Sequence, residues 1–251
     1  MVHIVGAGPG GTDLITVRGY KLLQEADIII YAGSLVNPDH LAIAKEGCQI
    51  YNSASMTLEE VIEVMKQGEK EGKTTVRLHT GDPSIYGAIR EQMDALDEEG
   101  ISYEVTPGVS SFCGAAAALK AEYTLPDVSQ SVIITRMAGR TPVPEKESIR
   151  SFAAHGATMA IFLSTGMLKE LTAELIAGGY TKDTPAAIVY KATWPDEKVM
   201  RGTVGTLAEM AAEHNVTKTA LILVGGFLGD QYDRSLLYDP GFSHEYRKAE
   251  K

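Results

Sequence analysis

The sequence predicts an α/β fold in two halves, and three observations lead there. Short apolar or β-branched runs alternate with amphipathic helical stretches along the whole chain. Runs in the first half end in glycine-proline loops where a strand gives way to a helix. The 251 residues, 44% hydrophobic and 22% charged, suffice for one large or two small domains with real cores. Glu122 to Ser129, which carries Pro126 and little pattern, reads as the linker. The expected domains are 1–124 and 125–251.

Val2 to Val5 is a short apolar strand running into Gly6-Ala7-Gly8-Pro9-Gly10-Gly11. A helix is expected from Leu14 to about Ala26, then a strand from Asp27 to Tyr31. Asn37-Pro38-Asp39 starts a short helix ending near Gly47, and Gln49 to Tyr51 is a brief strand. Thr57-Leu58-Glu59-Glu60 is a capping box; Leu58, Val61, Ile62 and Met65 form the apolar face of its helix. Thr74 to Leu78 reads as a strand and Ala88 to Leu96 as a helix. The loop between them, Thr80-Gly81-Asp82-Pro83-Ser84-Ile85-Tyr86-Gly87, organises the chain. Gly81 takes backbone angles that cost other residues dearly. Pro83 pre-sets the first helical turn. Asp82 either caps that turn or holds a polar group of a ligand. Ser102 to Thr106 is a strand feeding Pro107-Gly108-Val109-Ser110-Ser111 and a helix of small residues, Phe112 to Leu119. Ser110 or Ser111 is a natural N-cap, and the open N–H groups suit a carboxylate or phosphate.

In the second half, a strand at Ser131 to Thr135 leads into the basic, proline-containing loop Arg136 to Pro144. A helix spans Glu145 to His155, and a strand at Thr158 to Leu163 leads into Ser164-Thr165-Gly166. A helix at Met167 to Ala177 precedes strands at Ala186 to Tyr190 and Lys198 to Gly202, with Ala192-Thr193-Trp194-Pro195 between them. Thr206 to His214 is helical and Ala220 to Val224 is the last core strand. From Asp230 onward the chain is polar and aromatic, without a pattern.

Composition excludes several function classes. The net charge of −10 argues against a broad nucleic-acid surface and leaves room for an anionic substrate only beside a local basic patch. No apolar run reaches the roughly 18 residues that span a bilayer. Met1 to Val5 enters a strand at once, so a soluble cytoplasmic protein with no membrane partner is expected. Cys48 and Cys113 form no CxxC pair and read as small buried residues. None of the six histidines is spaced as a metal pair, so no metal is expected. There is no G-x-S-x-G elbow and no P-loop. Gly6, Gly8 and Gly11 formally satisfy G-x-G-x-x-G, which keeps a nicotinamide oxidoreductase as an alternative. Against it, Pro9 removes an N–H from the loop, and no acidic residue stands in Ala32-Gly33-Ser34-Leu35 to take a ribose hydroxyl. This is not the loop of a standard Rossmann fold. Loops rich in backbone and poor in acid–base groups suit a cofactor that carries its own reactive group, with the protein holding and aligning.

The three loops Gly6 to Gly10, Gly81-Asp82-Pro83 with Tyr86-Gly87, and Pro107 to Ser111 occur in the order and spacing seen in the tetrapyrrole methylases, which the chain resembles over nearly its whole length. These enzymes of corrin and sirohaem synthesis use S-adenosylmethionine and release S-adenosylhomocysteine. Tyr31 to Val36, Gly139 to Pro144, Ala160 to Ser164 and Tyr190 to Pro195 are similar to the branch that methylates C-11 of precorrin-4 in cobalamin synthesis. The resemblance implies a homodimer of two-domain α/β chains with the cofactor in a trough between the domains. It implies cofactor contacts from Pro9, Thr80, Gly81, Asp82, Ile85, Ser110 and Ser111, and from Ser164 and Ala192. Sirohaem-type relatives have Gly-Gly-Asp in place of Thr80-Gly81-Asp82, Thr-Ala in place of Ser110-Ser111, and methionine about where Ser164 stands. Tyr86 is the candidate for a catalytic role, with packing as its alternative, and no residue is assigned as an obligatory general base. Arg136 and Arg140 are the candidates for the carboxylates of a polyanionic macrocycle. Other readings are methylation at another ring carbon, a family member acting on RNA or a protein side chain, and a binding protein without turnover.

Overall fold

The computed structural model describes residues 1–249. The chain forms two compact units. The first comprises Met1–Ala115 together with Lys191–Glu197; the second comprises Ala116–Tyr190 and the chain from Lys198 onward.

The first unit is built on a parallel sheet. In chain order its elements are β1 (Val2–Gly6), α1 (Val17–Glu25), β2 (Ile28–Tyr31), β3 (Gln49–Asn52), α2 (Leu58–Lys70), β4 (Thr75–His79), α3 (Arg90–Glu98), β5 (Tyr103–Thr106) and α4 (Ser111–Leu119). The chain leaves this unit within α4, after Ala115. The strands run in the order β3-β2-β4-β1-β5, every neighbouring pair parallel. Sheets covered on both faces read as near-continuous apolar runs, as Ile28-Ile29-Ile30 does. Central strand β4 departs from that rule: all five residues are buried, yet they include Arg77 and His79.

The Thr57 capping box is present in full, with Thr57 N donating to Glu60 Oε2 at 2.8 Å and Glu60 N to Thr57 Oγ1 at 3.3 Å. Two helices start later than their sequence suggests. A 3₁₀ turn at Thr12–Leu14 precedes α1, which begins at Val17 with Thr16 as its cap. Helix α3 begins at Arg90 and not at Ala88, because Tyr86 and Ala88 have positive φ angles of 55° and 49°. A right-handed helix cannot run through them. Pro83 therefore starts an isolated turn and not the helix.

The second unit has a mixed sheet. Its elements are β6 (Val132–Arg136), α5 (Ile149–Ala153), β7 (Thr158–Phe162), α6 (Leu168–Gly178), β8 (Pro185–Tyr190), β9 (Lys198–Thr203), α7 (Leu207–Glu213) and β10 (Ala220–Val224). The order is β6-β7-β10-β8-β9, with β6 and β7 parallel and the remaining pairs antiparallel. Its core gathers Met159, Ile161, Leu171, Leu175, Ile188 and Ile222. The helix expected over Glu145 to His155 is split: a 3₁₀ turn at Glu145–Glu147 is followed by the five-residue α5, capped by Ser148. Both cysteines are free; Cys48 is half-buried and Cys113 exposed, so neither is the fully buried residue expected. No helix among the described residues is long and apolar enough to cross a membrane.

Candidate functional site

Strand order brings the three glycine-proline loops together. They leave the carboxyl ends of β1, β4 and β5, and β1 lies between the other two. The loops then bond to one another. Gly8 N donates to Gly81 O at 3.2 Å, Gly81 N to Gly8 O at 2.8 Å, and Ala7 N to His79 O at 2.7 Å. A Cβ on Gly6 would lie 2.6 Å from both Gly108 Cα and Gly81 O. Glycine is needed at Gly6 and Gly108 because the backbones themselves are in contact, and at Gly81 because of its φ of +59°.

Asp82 ties the second loop to the third. Its Oδ1 accepts from Ser84 N at 2.9 Å and from the Ser84 hydroxyl, and its Oδ2 accepts from Gly108 N at 2.9 Å. Of its two expected roles, capping is the one the geometry displays. Burial opposes ionisation of Asp82, but the bonds from Ser84 and Gly108 outweigh it and hold the carboxyl below its usual range.

The first loop is completed by a segment distant in sequence. Gly11 N donates to Thr193 Oγ1 at 2.9 Å, and Trp194 Nε1 donates to Pro9 O at 3.2 Å. The Trp194 ring fills the space a side chain at Gly10 would occupy, and Asn37 Nδ2 donates to Gly10 O at 2.9 Å. Lys191 reaches over the Trp194 ring, 4.9 Å from its centre, and pairs with Asp196 at 2.7 Å. Ala192, buried, sits between Lys191 and Thr193, whose φ angles are +46° and +70°. Asn37, Thr193 and Trp194 are structural partners that local sequence reading missed. A lone tryptophan next to proline in a glycine-rich protein was the available signal.

The remaining cofactor candidates in this unit line the same three loops. Thr80 donates its hydroxyl to Leu35 O at 3.3 Å, and Ile85 N donates to Asp82 O at 3.2 Å. Ser110, 6% exposed, caps α4 through its carbonyl, which accepts from Cys113 N at 3.0 Å; Ser111 is the first helical residue. Tyr86 is 45% exposed.

Ser164, Arg136 and Arg140 belong to the second unit, after the parallel strands β6 and β7. The Ser164 hydroxyl is fully buried, donating to Phe162 O at 2.6 Å and accepting from Met137 N at 2.9 Å. It joins the two loops and has no donor left for a ligand. Arg136 is likewise engaged, donating to Met137 O, Thr141 O and Pro142 O at 3.1, 3.3 and 2.8 Å. Its guanidinium shapes the basic loop, and Arg140 is the exposed cation that loop presents. Leu163, at φ +52° and 59% exposed, adds an apolar side chain the sequence had not singled out. Among the described residues, five of the nine non-glycine residues with positive φ, namely Tyr86, Ala88, Leu163, Lys191 and Thr193, lie in these loops. Such strain concentrates where function over-determines the backbone.

His79 stands at the end of β4, 4% exposed, with Nε2 unpartnered. Burial, with the Arg77 charge adding to it, pushes its pKa down to about 3. It is neutral at any physiological pH and too weak a base for proton abstraction.

Three comparisons extend this geometry. Residues 1–208 match the family described as Tetrapyrrole (Corrin/Porphyrin) Methylases. The cobalt-precorrin-4 C(11)-methyltransferase of Methanocaldococcus jannaschii is 57% identical over 251 residues, covering 100% of this chain and 97% of its own length. The X-ray structure of a cobalamin biosynthetic enzyme, cobalt precorrin-4 methyltransferase, superposes with a TM-score of 0.89 at 50% identity, covering 91% of this chain and 96% of that one. Uroporphyrin-III C-methyltransferase of Thermus thermophilus, solved with S-adenosyl homocysteine, gives 0.74 at 25% identity over 90% of this chain and 92% of that one.

Asp82→Asn replaces one acceptor by an NH₂ facing a backbone N–H. The expected cost is about 2 kcal/mol of folding stability in denaturant titration, with weaker cofactor binding by calorimetry. The lowered pKa of His79 has its own signature. Below pH 6.5 the unfolded chain takes up a proton that folded His79 refuses until about pH 3, so stability falls as pH falls through that window. His79→Gln is expected to show a smaller drop in melting temperature between pH 7 and pH 5 than the wild type. Equal drops would assign the effect elsewhere, for instance to His40, whose pKa burial also lowers.

Proposed function

The chain belongs to the tetrapyrrole (corrin/porphyrin) methylases, and from that premise we propose that it transfers a methyl group from S-adenosylmethionine to C-11 of cobalt-precorrin-4. The observation that carries the reading is full-length similarity at 57% identity to an enzyme named for that reaction, on a chain whose three loops meet at one junction. The cobalt form is chosen over the metal-free one because both the M. jannaschii relative and the X-ray neighbour at 50% identity are named for it. The metal here is cargo of the substrate.

The residues present fit the cofactor. Ser110 and Ser111 open helix α4 beside the glycine junction, where the positive end of a helix favours a carboxylate. Pro9, Thr80, Gly81, Asp82, Ile85 and Ala192 offer backbone groups and small apolar surface, the match for a nucleoside and a thioether-like chain. Ser164 would contribute through its backbone, since its hydroxyl is engaged. When bound, S-adenosylmethionine supplies a sulfonium methyl already activated toward a carbon nucleophile.

What remains for the chain is alignment. The Gly8–Gly81 pairing and the Asp82 bridge fix the loops without side-chain entropy left to lose. Neither Asp82 nor His79 is poised to act as a base: both Asp82 oxygens are engaged, and His79 stays neutral at physiological pH with a pKa of about 3. Tyr86, half-exposed on a strained turn, is read as the side chain that packs against the reacting macrocycle. Arg140 is the local cation for its carboxylates in a chain of net charge −10. We read the protein further as a cytoplasmic homodimer. The dimer follows from the family resemblance, and two free thiols suit a reducing compartment.

Incubation with radiolabelled-methyl S-adenosylmethionine and enzymatically made cobalt-precorrin-4 should place label at C-11 by NMR, faster than with precorrin-4. Label at another carbon would overturn the regiochemistry, and faster turnover of precorrin-4 the choice of acceptor. Arg140→Ala should raise the macrocycle KM by about tenfold with cofactor affinity unchanged. Light scattering should give twice the chain mass.

A further inference from the structure

Arg77 lies in the middle of the central strand β4, 7% exposed. Burial alone pulls its pKa down to about 10, so it stays charged at neutral pH without a carboxylate partner among the described residues. Its Nη1 donates to Ile30 O at 3.1 Å, and its Nε donates to Gln92 Oε1 at 3.0 Å. Arginine has only donors, so Gln92, 5% exposed on α3, must turn its oxygen toward it. That leaves Gln92 Nε2 to donate to Ala88 O at 3.0 Å. Ala88 and Tyr86 both hold positive φ, a strained conformation that persists only where the surroundings enforce it. Gly87 between them packs on Pro83 O, where no side chain fits.

We propose that Arg77 and Gln92 are positioning residues for methyl transfer. The buried cation locks the Gln92 amide, the amide pins the Ala88 carbonyl, and the pinned turn presents Tyr86 in one orientation at the end of β4. This rests on reading the site as that of a methyltransferase. Buried ionic groups can often be exchanged for well-packed apolar residues without loss of stability. Here the charge fixes which way an amide faces, which an apolar residue cannot do.

Gln92→Glu isolates the tether. A carboxylate still accepts from Arg77, so folding is retained, but it cannot donate to Ala88 O. The melting temperature should equal or exceed that of wild type. Amide exchange over residues 83–90 should accelerate about tenfold. The kcat should fall about tenfold with the cofactor Kd unchanged. In a Tyr86→Ala background the same substitution should cost no further kcat. Wild-type kcat and exchange in Gln92→Glu would overturn the proposal, as would an equal fall with and without the Tyr86 ring. If Gln92→Glu fails to fold, Ala88→Gly decides. Ala88 is exposed and glycine accepts its backbone angles, so the fold survives while the turn loosens. A several-fold loss of kcat is expected there, and an unchanged kcat would sink the idea. A wild-type protein inactive on both macrocycles would count against the proposed function, while exchange over 83–90 would still decide the tether.

Discussion

Both oxygens of the Asp82 carboxylate accept from backbone N–H groups, one within its own loop and one from the next. The rest of the first unit's working end depends on that bridge. Without it, the loops after β4 and β5 would meet only through the contact of Gly6, Gly81 and Gly108. With it, two turns become a single rigid surface on which the first loop can pair through Gly8. The Gly8–Gly81 contacts are backbone to backbone, so their geometry is set by the sheet and not by rotamers. Hydrogen bonds to an ionised acceptor are stronger than neutral ones, which suits a junction made of few groups.

Much of this was legible in the sequence because its signals are local. Strand ends followed by glycine and proline mark loops, and β2, β8, β9 and β10 lie close to where their β-branched and apolar runs predict. The family, the fold and the chemistry followed from three short motifs in order. What local patterns cannot carry is strand order. Nothing near Gly8 says that Gly81 will be its neighbour; that follows only once β1 is inserted between β4 and β5. Helix α3 was read two residues early because propensity sees alanine and isoleucine as helix formers and cannot see that Tyr86 and Ala88 are left-handed. Arg136 was read as a candidate for substrate carboxylates, and its bonds to carbonyls of its own loop went unforeseen because they leave no trace in residue type. Asp82 was read as a cap or a ligand holder; its bonds to Ser84 are local, but its bond to Gly108 spans one helix and one strand.

Two departures from ordinary burial rules lie in one strand. β4 is the centre of a parallel sheet, where continuous apolar sequence is the norm. It carries Arg77 and His79 instead, one charged and one held neutral, both buried. Consistency between local pattern and global fold makes a chain foldable, and natural proteins break it where function requires. The break here lies directly upstream of the loop that organises the site.

The clasp by Thr193 and Trp194 has a consequence for how the protein comes into being. Gly11 and Pro9 are bonded to residues 182 and 185 positions further along. The first loop is among the earliest segments to leave the ribosome, yet its partners emerge only after three-quarters of the chain has been made. Until then its carbonyl and amide groups face water, and Gly10 has an open face. Contacts of such sequence separation form late and slow the search for the native state. A loop synthesised well before its partners is thus among the last parts to be finished, and a nascent chain stalled before residue 193 would hold a sheet whose first loop is still incomplete.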